Sequence, residues 1–91
     1  MKRKIKLKRA KLGKQLAWGM YSEDTETITL DTRLVGKKLL STAVHEALHA
    51  SYPDLSESQI LHGEQIISDV LWRLKIHPVS TEVKQPNDPS K

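Results

Sequence analysis

Apolar and polar residues alternate along the first third of the chain and then settle into a helical repeat. In "KIKLK", residues 4–8, lysines separate Ile5 from Leu7. That period of two suits a strand with one buried face and one charged face that discourages edge pairing. "QLAWGMYS" (15–22) and "TITLD" (27–31) are rich in strand formers, and the polar "EDTE" between them predicts a β-hairpin. From about Arg33 to Ala50 the apolar spacing becomes helical. Asp31 or Thr32 stands as N-cap, and "YPD" ends the helix because proline restricts the residue before it. Asp54 or Ser56 then caps a second helix from about Ser56 to Lys75. The last segment, "HPVSTEVKQPNDPSK", holds three of the four prolines and reads as a disordered tail over 77–91. The expectation is an α+β fold: a small antiparallel sheet of about three strands followed by two packed helices. One domain spans 1–76, with a basic strand or arm in 1–14.

Composition narrows the chemistry. A 91-residue chain buries a modest core and gains from a metal or a partner. It has no cysteine, which excludes disulfides and thiolate ligands, so any zinc site must use His, Asp or Glu. No stretch is apolar enough for a signal peptide or a membrane span, and the expected setting is the cytoplasm. Eight of the fifteen basic residues lie in 2–14, and no acid appears before Glu23. The basic end could meet nucleic-acid phosphates or an acidic protein. A solvated strand edge explains it more simply, because no aromatic residues are interleaved as stacking platforms.

The chemistry sits in "STAVHEALHA", residues 41–50. At 100° per residue, His45 and His49 lie about 40° apart on one helix face, and Glu46 lies about 100° round. Both imidazoles can therefore point at one zinc ion while Glu46 reaches a water on it, which is what the H-E-x-x-H spacing provides. Leu39, Leu40, Ala43, Val44, Ala47 and Ala50 fall mostly on the other side, where a sheet would pack, so the histidines would face the second helix.

That helix carries an apolar stripe of Ile60, Ile67, Leu71 and Leu74 with Glu64 at its centre. A carboxylate there is costly to bury unless paired or bound to a metal. If the helices turn at "YPDL", Glu64 comes level with residues 44 and 45, which makes it the third ligand. Glu57 is the rival: it lies near the same stripe, but in the first turn, where an acid usually serves the helix dipole or a cap. His62 points away from Ile60, and His77 begins the tail.

"GMYSEDTETITLD", a helix ending in "HEALHA", then "PDLSE" and a last helix closing with "LWRL" resemble the small zincin-like metallopeptidases of phages and bacteria. These are related in outline to the ImmA/IrrE and SprT-like groups, and the resemblance covers about residues 16–76. It implies a zinc-dependent peptidase core of the gluzincin kind, acting on a protein or peptide. In that reading His45 and His49 hold the zinc with Glu64, and Glu46 is the general base for a zinc-activated water. Tyr52, about 20° from His45 on the helix wheel, is a candidate donor to the developing oxyanion, and Tyr21 on the hairpin is another. A catalytically inactive binding protein and a nucleic-acid-associated protein using the basic arm are the alternatives. An intact Glu46 favours the peptidase, since a structural site has no need of a base there.

Overall fold

The structure, a computed structural model, describes residues 4–13 and 18–76. The expected tail, with His77, lies outside them. Five elements follow in order: β1 (Lys6–Ala10), β2 (Gly19–Ser22), β3 (Thr27–Asp31), α1 (Gly36–Ser51) and α2 (Glu57–Arg73). This is the expected α+β architecture, with α1 lying between the sheet and α2.

The hairpin forms where the polar "EDTE" interrupts two runs of strand formers. β2 and β3 pair antiparallel, with Met20 opposite Thr29 and Ser22 opposite Thr27. The turn closes through Glu26, whose φ of 50° is a left-handed conformation and whose N–H donates to the Glu23 carbonyl at 3.3 Å.

The all-antiparallel expectation fails at β1. The strand order is β1-β3-β2, and β1 runs parallel to β3, from Lys6 opposite Thr27 to Ala10 opposite Asp31. The reason is topological. β1 and β2 lie on opposite sides of β3, so the chain leaving β1 must pass the end of β3 to reach β2.

At that end sits Asp31, fully buried. Its carboxylate accepts from the Leu12 amide at 3.1 Å, the Arg33 amide at 2.8 Å, and Arg33 Nε and Nη2 at 2.9 Å each. Arg9 Nη2 donates to the Asp31 and Leu34 carbonyls, both at 3.0 Å. The crossing segment, the end of β3 and the approach to α1 are thus held by one residue. The Arg33 side chain and the two amides hold the Asp31 carboxyl well below the usual carboxylate range.

Replacing Asp31 by Asn should lower Tm at pH 7 by roughly 5–10 °C, because acceptor capacity for charged and amide donors is lost. A depressed folded pKa contributes stability above the ordinary value of 3.8, and this is lost as pH falls toward the lower folded value. The gap between parent and Asp31→Asn should therefore narrow below about pH 4. Thermal melts across that range check both statements, and equal melting at pH 7 would reject the clamp.

This use of Asp31 also corrects the start of the first helix. α1 begins at Gly36 rather than near Arg33, and its N-cap is Val35, with no side-chain cap, instead of Asp31 or Thr32. Gly36, at φ +62°, makes the bend that a side chain would disfavour. The second helix starts as its sequence suggests. Ser56 Oγ accepts from the Gln59 amide at 3.2 Å, and Gln59 Oε1 accepts from the Ser56 amide at 2.9 Å, a complete capping box.

Ile28 and Leu30 of β3 form the core with Leu34, and Ile5, Tyr21, Leu39 and Ala43 pack against them. Each fully buried side chain of this kind is worth about 1.5–3 kcal/mol of transfer free energy. Leu7, expected on the buried face of its strand, is 68% exposed because α1 covers β2 and β3 but not β1. A similar limit applies to α2, which among the described elements packs on α1 alone. Of its expected apolar stripe, Ile60 is fully buried, but Ile67 is 40% and Leu74 63% exposed. No helix among the described residues is long and apolar enough to cross a membrane.

Candidate metal and catalytic site

Because α1 is covered on two sides, the consecutive residues His45 and Glu46 serve different surfaces. Glu46 turns toward the sheet and is buried, as is Ala50 one turn on. His45 turns toward α2 and lies in the helix–helix seam. The two histidine rings approach edge to face, with centroids 4.9 Å apart, as the four-residue spacing requires.

The two carboxylates of α2 meet His45 at different ring nitrogens. Glu64 Oε1 lies 2.8 Å from Nδ1, and both side chains are 18% exposed. Glu57 Oε2 lies 3.1 Å from Nε2 of the same ring, and Glu57 Oε1 lies 3.5 Å from His49 Nε2. The helix register read from the sequence therefore holds, with Glu64 level with His45. Glu57, two turns nearer the loop, is the carboxylate that reaches both histidines. His45, His49 and Glu57 each offer a ligand atom, all within 4.8 Å of one another. Both acids lie on one face because they are seven residues apart, a signal present in the sequence.

Glu46 has a different environment. It is 8% exposed, and among the described residues its carboxylate has no hydrogen-bond partner. Burial pushes its carboxyl up; the neighbouring His45 and His49 pull it down, and Glu57 adds to the rise. A glycine makes room for it. A Cβ built on Gly19 of β2 would stand 3.0 Å from Thr42 Cγ2, 3.1 Å from Leu30 Cδ2 and 3.2 Å from Glu46 Cγ. A side chain there would press on all three neighbours, and glycine lets β2 lie close to α1 at the Glu46 position without that pressure.

Glu46 borders a cavity of about 590 Å³ that Tyr21, Glu23, Glu26 and His49 also line. Of the two tyrosines singled out in the sequence, Tyr21 lines this cavity. Tyr52 does not: it is the C-cap of α1 and 60% exposed. His62 is exposed and takes no part in the group. Gly19 and the turn acids Glu23 and Glu26 carried no chemical signal in the sequence, since their roles depend on how the hairpin lies against α1.

Comparison with protein-family models, with curated proteins and with solved structures finds no match for this chain.

Proposed function

We propose that this protein is a zinc-dependent peptidase whose site is built on α1 and α2. The observation that carries the reading is the buried Glu46, without a hydrogen-bond partner among the described residues, beside a His45, His49 and Glu57 group that offers three ligand atoms within 4.8 Å. Two imidazoles and a carboxylate are a donor set suited to zinc, and three protein ligands leave a position for exchange. His45, His49 and Glu57 would hold the ion. Bound there, zinc supplies Lewis acidity and a lowered pKa for water.

The remaining work belongs to the chain. Glu64 accepts from His45 Nδ1, which fixes the ring and leaves Nε2 directed toward Glu57. Glu46 takes the proton from the water that attacks the peptide carbonyl and delivers it to the departing amine. Its burial favours that role, because a carboxylate without fixed hydrogen bonds is held less firmly in its charged form. Tyr21, in the same cavity, is the better placed of the two tyrosines to donate to a developing oxyanion. β2 is an edge strand beside the cavity, and an extended substrate can add to it as a further strand.

The test is metal analysis together with hydrolysis of a quenched-fluorescence peptide library by the full chain, purified without a histidine tag. About one zinc per chain is expected, with cleavage that stops on adding a chelator and returns on adding zinc. Zinc-loaded protein that cleaves no peptide in the library would count against the peptidase.

A further inference from the structure

We propose that the outer flank of α2 is a dimer interface, and that its occupant is α2 of a second copy of this chain, packed antiparallel across a two-fold axis at Val70. The inference does not depend on the peptidase reading. α2 carries two rows of side chains at intervals of four residues. Ile60, Glu64 and Ser68 form the row that faces α1; Ile60 and Ser68 are buried, and Glu64 meets His45. Ile66, Val70 and Leu74 form the second row, offset by six residues and so about 120° round the helix. Among the described elements α2 packs on α1 alone, and the second row stays open: Ile66 is 53% exposed and Val70 49%, with Leu74 more open still. Ile67 lies between the rows and is also exposed. Single exposed aliphatic residues are ordinary, but four on one flank of one helix form a contiguous patch of the kind that marks an interaction site.

The charges beside the patch point to the occupant. Asp69 and Arg73 border it on the side opposite Ile67, paired with each other at 3.2 Å and both solvent-accessible. In an antiparallel pair centred on Val70, Ile66 lies level with the partner's Leu74, and Val70 meets its own copy. Arg73 then lies two residues, or about 3 Å of helix rise, from the level of the partner's Asp69, on the same side of the seam. A parallel pairing would instead set Asp69 against Asp69 and Arg73 against Arg73. The flank is therefore complementary to itself in one orientation, as a two-fold interface requires.

The rest of the chain agrees with this assignment. Its net charge is +4, but residues 57–76 hold Glu57, Glu64 and Asp69 against Arg73 and Lys75, so two α2 helices meet with little repulsion. The basic β1 belongs to the sheet, on the other side of α1. Residues 77–91 offer only Val79 and Val83 as aliphatic side chains, too few to cover the patch. Because Glu57 and Glu64 lie on the side of α2 that meets α1, the pairing leaves the histidine group uncovered.

The experiment is sedimentation equilibrium of the full chain. Its mass should rise from 10.3 kDa toward twice that value, with a dissociation constant on the order of 10 μM. Val70→Lys puts two ammonium groups on the axis and should weaken association about 100-fold or more, while melting as the parent does when both are dilute. The chain has no cysteine, so Val70→Cys supplies a thiol on the axis whatever the lysine variant does. Diamide should oxidise the two facing thiols to a disulfide and link the copies. Gln65→Cys, on another side of α2, should stay unlinked under the same conditions. A chain that remains at 10.3 kDa up to about 500 μM would overturn the dimer and leave the patch to another protein or to residues 77–91. Association that Val70→Lys leaves unchanged, or equal linking of the two cysteine variants, would overturn this interface.

Discussion

Glu46→Gln is expected to retain zinc and fold while reducing peptide hydrolysis by roughly 100- to 10,000-fold, the usual contribution of a positioned general base. Three features separate it from a merely structural residue. Glutamine keeps the volume of the side chain that lies against Gly19, so packing is undisturbed. The carboxylate has no hydrogen-bond partner among the described residues, so no polar network is broken. It also lies outside the group of His45, His49 and Glu57, so metal affinity should stay within a few-fold of the parent. Metal content, thermal melting and kcat measured on one preparation check all three. Hydrolysis at the parental rate by a zinc-loaded Glu46→Gln protein would reject Glu46 as the base, and loss of zinc would make it a ligand instead.

What could be read in the sequence was what depends on local period. The four-residue spacing of His45 and His49, with Glu46 turned a quarter of the way round, follows from helix geometry and needs no knowledge of neighbours. The hairpin follows from two runs of strand formers around a polar turn, and the Ser56 cap from its own side chain. The antiparallel helix pair, with so short a turn at "YPDL", also set Glu64 level with His45, as their 2.8 Å contact bears out.

What was lost depends on non-local choices. Whether β1 lies beside β2 or β3 is decided by the path around the end of β3, and the residue that anchors this path, Asp31, looks in sequence like any helix cap. Reading Asp31 as a cap placed the start of α1 three residues early. The stripe on α2 was correct as a period but incorrect as a statement of burial. Only the part that meets α1 is covered, and periodicity does not tell how many neighbours a helix has. The cavity required the hairpin, α1 and Gly19 to be placed together, so its acids were invisible as a group.

The sharpest separation between readings of the metal group lies in Glu57 and Glu64. Sequence spacing alone favours Glu64 as third ligand, because it sits at the centre of the α2 stripe. The geometry favours Glu57, whose two oxygens face Nε2 of both histidines, and gives Glu64 the Nδ1 side of His45. The two glutamine variants should then differ in kind. Glu57→Gln removes the negative ligand and is expected to weaken zinc binding by more than about 100-fold, beyond the range typical of outer partners. Glu64→Gln keeps an amide oxygen that can still accept from His45 Nδ1, so it should cost about 10-fold and leave the stoichiometry at one. Competition against a chromophoric chelator measures both constants under the same conditions. Without metal the ordering should vanish. Glu57 is 61% exposed, so its contacts with His45 and His49 and its place in the first turn of α2 are solvent-screened, and metal-free Glu57→Gln should melt within a few degrees of the parent. If Glu64→Gln instead releases the zinc and Glu57→Gln keeps it, the ion binds on the Nδ1 side of His45. His49 would then have to swing from its present contact with Glu57 to join it.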